Sequence, residues 1–309
     1  MADRILHLES PVYLSLKYNQ LCFKYPQDCD KKDRTVPIQD VAVLVLDNER
    51  ITLSQPLIAK CAELGVVIVG CDEKHLPVSL TLSLNGNSNQ SQIFQAQAQI
   101  SEPLKKQLWK QIVIQKINNQ AALLKTIGGN AEFLKELAQK VNSGDTNNCE
   151  AVAAAYYWKN IFKEYVPAFT RDRYGEPPNS LLNYGYAILR AMTARAIVAA
   201  GLHPTLGIFH HGKYNAYCLA DDLMEPFRPW VDRAVYELLE AAGTEILETG
   251  RITRDMKTRL YEVLFEDTVV AGVRHPVCLC LGKTAVSFVK TFRAEPNEPT
   301  PRKLVLPKF

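Results

Sequence analysis

Hydrophobic positions along roughly the first 85 residues recur with the two-residue period of extended chain. Residues 4–9 alternate, with Leu6 and Leu8 on one side and Ile5 and His7 on the other. Segments 12–16 and 21–25 flank Lys17-Tyr18-Asn19-Gln20, and Asn19 tolerates turn backbone, so the pair predicts a hairpin. Segment 41–46 is a continuous apolar strand, and 51–53 follows the polar turn Asp47-Asn48-Glu49. Ser54 then caps a short helix over 56–64, with Pro56 near its start and Gly65 past its end. Segments 66–69 and 78–84 add two further strands. One helix among roughly seven strands predicts a compact β-rich domain. Residues 85–92, Asn-Gly-Asn-Ser-Asn-Gln-Ser-Gln, are polar and turn-rich and mark a boundary.

Beyond that boundary the spacing changes to threes and fours. A helix over 103–126 carries Leu104, Leu108 and Ile112, then Val113, Ile117 and Leu124, and ends at Gly128-Gly129. Further helices are predicted over 131–141, over the alanine-rich 147–165, and over 181–200, which Gly201 stops. Three more cover 229–242, 253–265 and 283–293. Pro296, Pro299, Pro301 and Pro307 then mark an extended tail with Arg302, Lys303 and Lys308. The predicted class is α+β: a small N-terminal β-rich domain (1–88), a larger all-α domain (89–295) and a Pro-rich basic tail (296–309).

The length of 309 residues supports two domains, each with its own core. Apolar content of 47% and charged content of 22% are those of an ordinary globular protein. A net charge of +3 does not announce a nucleic-acid binder, but it permits one if basic residues cluster on one face. None of the eight cysteines forms a C-x-x-C pair, so buried reduced thiols are expected rather than a zinc ribbon. Cys278 and Cys280 would share one face of an extended segment, a weak basis for a metal role. The N-terminus lacks the apolar core of a signal peptide, and no apolar run approaches the ~20 residues that span a bilayer. The cytoplasm is the expected compartment, with no membrane partner.

Three stretches place polar groups where packing would otherwise be expected. Asn147-Asn148-Cys149-Glu150 opens the alanine-rich helix; Asn147 followed three residues later by Glu150 is a capping-box pattern, so Glu150 alone reads as a cap. In Gly207-Ile208-Phe209-His210-His211-Gly212-Lys213, adjacent histidines on extended chain face opposite sides, so only one can face a given site. A single histidine after an apolar run reads as a hydrogen-bonded core residue, although the flanking glycines favour close approach. The third run, Asp221-Asp222-Leu223-Met224-Glu225-Pro226-Phe227-Arg228-Pro229, holds three carboxylates within five residues. On a helix Asp222 and Glu225 share one face. Acids also suit a helix N-terminus, and Glu225 can pair with Arg228. Desolvated carboxylates repel one another, and a cation relieves that repulsion. Carboxylates with one imidazole suit Mg²⁺ or Mn²⁺, ions that work on phosphodiesters.

Taken together these stretches resemble the endonuclease-integrase of CRISPR spacer acquisition, the catalytic one of the two adaptation proteins. The resemblance covers nearly the whole chain. It rests on Asn148-Cys149-Glu150-Ala151 with Tyr157-Trp158, on Leu182-Asn183-Tyr184-Gly185-Tyr186, and on His210-His211-Gly212 through Asp222–Pro229. The compact length and the last run are most similar to the type II branch. The resemblance implies Glu150, His210 and Glu225 as catalytic metal ligands for Mg²⁺ or Mn²⁺, with Asp222 as an occasional ligand or supporting group. It implies a β-rich dimerisation domain and a helical catalytic domain. It further implies that a fragment's free 3′-hydroxyl attacks a phosphodiester at the edge of a CRISPR repeat, without a covalent enzyme intermediate. Implied partners are double-stranded DNA with 3′ ends, CRISPR repeat DNA, a second copy forming a homodimer, the second adaptation protein in a hetero-hexamer, and a type II effector complex.

Candidates for a DNA-facing basic stripe are Lys105, Lys106, Lys110, Arg171, Arg173, Arg190, Arg251, Arg254 and Arg259. Tyr156, Tyr157, Trp158, Tyr165 and Tyr174 are candidates for base stacking, though most suit the core better. The alternatives are a general branched-DNA repair nuclease, which would share the chemistry, and a non-catalytic DNA-binding scaffold, which has no need of all three ligands.

Overall fold

A computed structural model describes residues 4–73, 75–242, 247, 249–293 and 302–309. The chain forms two compact units, Met1–Gln90 and Ser91–Phe309.

The first unit holds two four-stranded sheets. One contains β1 (Arg4–Leu8), β5 (Val41–Leu46), β7 (Val67–Cys71) and β8 (Pro77–Thr81), in that order. The first three run parallel, and β8 closes the edge antiparallel to β7. Every residue from Val41 to Val45 is buried, as a strand covered on both faces requires. The other sheet has the order β4 (Arg34–Pro37), β3 (Gln20–Lys24), β2 (Val12–Lys17) and β6 (Ile51–Leu53). The predicted β2–β3 hairpin turns through Tyr18 and Asn19, both at positive φ. Strand β4 is not legible in the hydrophobic pattern: it is short, polar and ends in Pro37, the composition of an edge strand. Helix α1 (Gln55–Leu64) sends Leu57 and Cys61 into a core shared with Leu14, Leu21 and Phe23 of one sheet and Leu8, Leu44 and Ile68 of the other. Gly65 ends the helix in the left-handed region, where a side chain would be strained.

The second unit is mainly helical: α2 (Gln90–Ala98), α3 (Glu102–Thr126), α4 (Glu132–Lys140), α5 (Cys149–Ile161), α6 (Asn179–Ala199), α7 (Cys218–Met224), α8 (Arg228–Ala242), α9 (Arg254–Glu262) and α10 (Val277–Phe292). The predicted all-α region also carries a small antiparallel hairpin of β9 (Asp267–Val270) and β10 (Val273–Pro276). Helix α2 lies in sequence too polar to show an apolar face. Its anchor is the buried Gln97, whose side chain donates to the carbonyls of His203 and Leu206 and accepts the His203 amide. Helix α10 begins before the expected 283, so Cys278 and Cys280 lie on a helix rather than a strand. Neither forms a disulfide, and burial pushes the Cys280 thiol up to about 11.

The expected tail falls partly outside the described residues. Its last eight pack against the helices. Gln111 of α3 brackets the tail through the Arg302 carbonyl and the Leu304 amide, and Thr284 of α10 donates to the Val305 carbonyl. Lys308 bridges antiparallel to Val269 of β9. Phe309 lies against Trp230, with ring centroids 4.8 Å apart. No helix among the described residues is long and apolar enough to cross a membrane.

Candidate metal centre

Helix α3 supplies the floor of the site. Trp109, Lys116 and Asn119 recur at seven- and three-residue spacing, which places them along one helical stripe. The indole of Trp109 stacks on Phe209, centroids 4.3 Å apart, and meets the His210 ring edge-on at 5.7 Å. Asn119, 2% exposed, donates to the Pro226 carbonyl at 2.7 Å and to the Pro307 carbonyl at 3.1 Å. One amide thus fastens the turn that carries Glu225 to both α3 and the tail.

Glu150 sits in the first turn of α5, but the expected capping box is absent. Asp145 caps this helix instead, its two carboxylate oxygens accepting the amides of Cys149 and Glu150 at 2.9 Å each. Asn147 turns away to the Lys140 carbonyl and the Asn142 amide. The Glu150 carboxylate is therefore free to point elsewhere, and Oε1 lies 2.6 Å from Lys116 Nζ.

Glu225 opens a 3-10 turn directly after α7 and is 3% exposed. Its Oε1 pairs with Arg228 at 2.9 Å, and its Oε2 lies 2.6 Å from Lys116 Nζ. One ammonium thus bridges the two carboxylates at the same short distance. Burial would raise the Glu225 carboxyl, but Arg228 and Lys116 outweigh it and hold the group below its ordinary value. Burial would likewise depress Lys116, and Glu225 and Glu150 outweigh it in turn.

Asp222, fully buried on α7, organises the histidine loop. Its Oδ2 accepts the amides of Ile208 at 2.6 Å and Phe209 at 3.0 Å, and Oδ1 accepts the His210 amide at 3.1 Å. Gly207 makes this approach possible: a Cβ there would stand 2.3 Å from the His210 carbonyl oxygen and 3.0 Å from Asp222 Oδ2. Asp222 Oδ1 also lies 2.6 Å from His210 Nδ1. A carboxylate only accepts, so Nδ1 carries a proton, and in the neutral ring Nε2 presents its lone pair. The hydrogen bond to Asp222 raises the His210 pKa, against the opposing effect of burial.

The structure therefore gathers Glu150 and Glu225 on Lys116. It sets His210 on Asp222 close enough for Glu225 to act on it electrostatically. His211 is exposed, and Asp221 turns away to Arg190 at 2.6 Å and Asn215 at 2.7 Å. Lys116 and Asn119 were not singled out from sequence, although two polar residues within the apolar stripe of α3 were the available signal. Two carboxylates and one imidazole are ligand types that a divalent cation takes, but among the described residues the ligand atoms of Glu150, His210 and Glu225 do not all lie within 4.8 Å of one another, with Lys116 seated between the acids.

Several candidate DNA contacts have internal partners. Arg259 pairs with Glu237 and Glu266, Arg171 with Asn179 and Asn183, and Lys105 with Glu102. Tyr157 is buried and donates to Asp232 at 2.8 Å, and Trp158 packs between Phe162 and Phe169, whereas Tyr174 is 87% exposed. A separate cluster lies in the first unit, where His7, Glu9 and Asp47 gather ligand-type atoms within 4.8 Å of one another. There both Asp47 oxygens face imidazoles, His7 at 2.7 Å and His75 at 2.8 Å, the spacing of hydrogen bonds.

The chain thus combines a β-rich unit with a following, mainly helical unit. The family model described as CRISPR associated protein Cas1 matches residues 6–254, and the chain belongs to that family. A CRISPR-associated endonuclease Cas1 of Neisseria meningitidis serogroup C (strain 8013) is 36% identical over 311 residues, covering 100% of this chain and 97% of its own. Another, from Pyrobaculum aerophilum, is 28% identical over 269 residues, covering 83% and 89%. Among solved structures, a casposase bound to integration product matches with TM-score 0.79 at 18% identity, over 94% of this chain and 90% of its own. A CAS1 protein from Thermotoga maritima matches at 0.74 and 18%, over 95% and 100%. At these identities the structural likeness speaks for the fold.

Proposed function

We propose that this chain is a divalent-metal-dependent DNA endonuclease and integrase of CRISPR spacer acquisition. In this reading it joins the 3′-hydroxyl ends of short DNA fragments into a CRISPR array by transesterification. The observation that carries the proposal is that Glu150 and the buried Glu225, from separate elements, converge on one cation position, each 2.6 Å from Lys116 Nζ. Glu150, His210 and Glu225 would hold Mg²⁺ or Mn²⁺. When bound, such an ion neutralises charge on the scissile phosphate and lowers the pKa of an attacking hydroxyl or water.

The chain's own residues prepare that site. Asp222 fixes the His210 tautomer and, through three loop amides, the position of its ring. Arg228 holds Glu225 in its ionised form, and Asn119 pins the turn beneath it. No side chain is required to form a covalent intermediate, because the DNA supplies the nucleophile. Hydrolysis of branched DNA would use the same groups with water in place of the 3′-hydroxyl.

The DNA reading is supported by neighbours of the same fold, one bound to integration product and another, TtCas1, in a DNA complex with TM-score 0.53. A second adaptation protein as partner is supported by a Cas6-RT-Cas1–Cas2 complex, which matches 94% of this chain at TM-score 0.71. A homodimer through the β-rich unit, a hetero-hexamer and a link to a type II effector complete the proposal.

The test is incubation of the purified protein, with its partner, with a short 3′-hydroxyl duplex and a repeat-bearing plasmid. Metal-dependent covalent joining is expected, and Glu150→Gln or His210→Ala should abolish it while the circular dichroism spectrum is retained. Undiminished joining by either folded variant overturns the site assignment.

A further inference from the structure

Two cations stand in the candidate site: Arg228 pairs with Glu225, whereas Lys116 lies against both Glu225 and Glu150. The Lys116 side chain is 12% exposed, and Nζ lies 2.6 Å from Glu150 Oε1 and 2.6 Å from Glu225 Oε2. The two carboxylates come from separate elements, α5 and the turn after α7, and this one ammonium joins them. The two contacts are equally short, so the ammonium is shared between the two carboxylates. A single positive charge seated between two carboxylate oxygens occupies the place that a divalent ion bound to both would need.

We propose that Lys116 is a resident counter-cation that competes with the divalent metal for Glu150 and Glu225 and yields its place when a DNA phosphate binds. The proposal rests on the metal reading given above. One ammonium and one divalent ion cannot both lie between the same two oxygens, so metal entry requires Nζ to leave. Lysine is suited to that exchange, because its charge is a compact ammonium on a flexible four-carbon stem, and the same charge is a phosphate ligand. A phosphodiester placed at the site gives Nζ an alternative anion and releases the carboxylates. Metal and DNA then bind with positive coupling, and linkage makes the coupling reciprocal. Without DNA the carboxylates remain neutralised by Lys116, so the metal binds weakly to the free protein.

The test measures Mn²⁺ dissociation constants by electron paramagnetic resonance on the full chain, with and without a non-cleavable 3′-deoxy duplex. In the unaltered protein the duplex should tighten Mn²⁺ binding by roughly 5–150-fold, the usual range of such coupling. Lys116→Met should bind Mn²⁺ more tightly than the unaltered protein in the absence of DNA and lose most of the tightening by duplex. Lys116→Arg keeps the charge and should restore weak binding without DNA. A purely structural role for Lys116 predicts weaker Mn²⁺ binding in both variants. Lys116→Gln, which retains a polar head, serves the same comparison if Lys116→Met fails to fold. Two results overturn the account at different levels. Mn²⁺ binding that needs Glu150, shown with Glu150→Gln, yet has the same duplex dependence with or without the Lys116 charge, removes the Lys116 proposal alone. Mn²⁺ binding indifferent to Glu150→Gln removes the metal reading beneath it.

Discussion

Glu225 and Asp232 are seven residues apart, and each is almost fully buried, at 3% and 1% exposure. The fold treats them in opposite ways. Glu225 faces two cations, Lys116 and Arg228, which keep it ionised. Asp232 faces two phenols: Tyr157 donates to Oδ2 at 2.8 Å, and Tyr186 makes a short hydrogen bond to Oδ1. Burial is the main influence on Asp232 and pushes its carboxyl up to about 6, only partly opposed by those hydroxyls and, more weakly, by the charges of Arg228 and Arg171. Asp232 is therefore a satisfied internal acceptor. Glu225 instead has a full positive charge beside each of its oxygens. Burial alone does not separate a structural acid from a functional one; the character of its partners does.

The largest expected effect comes from removing the satisfied acid. Asp232→Ala leaves two buried hydroxyls without their acceptor, a loss on the order of 2–5 kcal/mol that urea denaturation would show as a lowered midpoint. An unchanged midpoint would mean the tyrosines find other partners. Next is the group that steadies His210. Asp222→Asn should weaken Mn²⁺ binding by about 10–100-fold, measured calorimetrically, because it disturbs the proton on Nδ1 and the loop amides. Equal affinity would show that Asp222 does not orient the ligand.

The smallest effect is on pH dependence. Asp232 has a folded value of about 6 against an ordinary 3.8, so between those values the folded chain holds the proton that the unfolded chain has released. Its contribution therefore makes stability fall as pH rises through that window, and it is constant above it. Glu225 has the opposite sign: its value is lowered from 4.5, so its stabilisation is present above that pH and is lost on acidification. Asp232→Asn should remove the falling limb from a plot of melting temperature against pH. Identical limbs in both proteins would place the titrating group elsewhere.

Much of this architecture was legible in the sequence because its elements carry apolar runs bounded by polar turns. The alternation at Leu6 and Leu8, the run 41–46 and the spacing in α3 each mark an element that the structure contains. The failures have physical causes. Strand β4 is an edge strand and needs no apolar face. Helix α2 is held by the hydrogen bonds of Gln97, which hydrophobicity does not report. At the site, Glu150 resembled a cap, yet Asp145 performs that role from five residues upstream, through a left-handed Asn148 that local patterning does not reveal. Lys116 and Asn119 escaped notice because their importance lies in contacts 34 and 107 residues distant along the chain.

The central claim is that Glu150, His210 and Glu225 form the seat of a divalent ion, rather than merely an ion-paired patch around Lys116. Anomalous diffraction from crystals of the protein with Mn²⁺ and a DNA duplex tests this most directly. The account predicts one strong manganese peak bounded by those three side chains, with Lys116 Nζ withdrawn from Glu225. A peak at His7, Glu9 and Asp47 alone, with Lys116 still seated between Glu150 and Glu225, would contradict it.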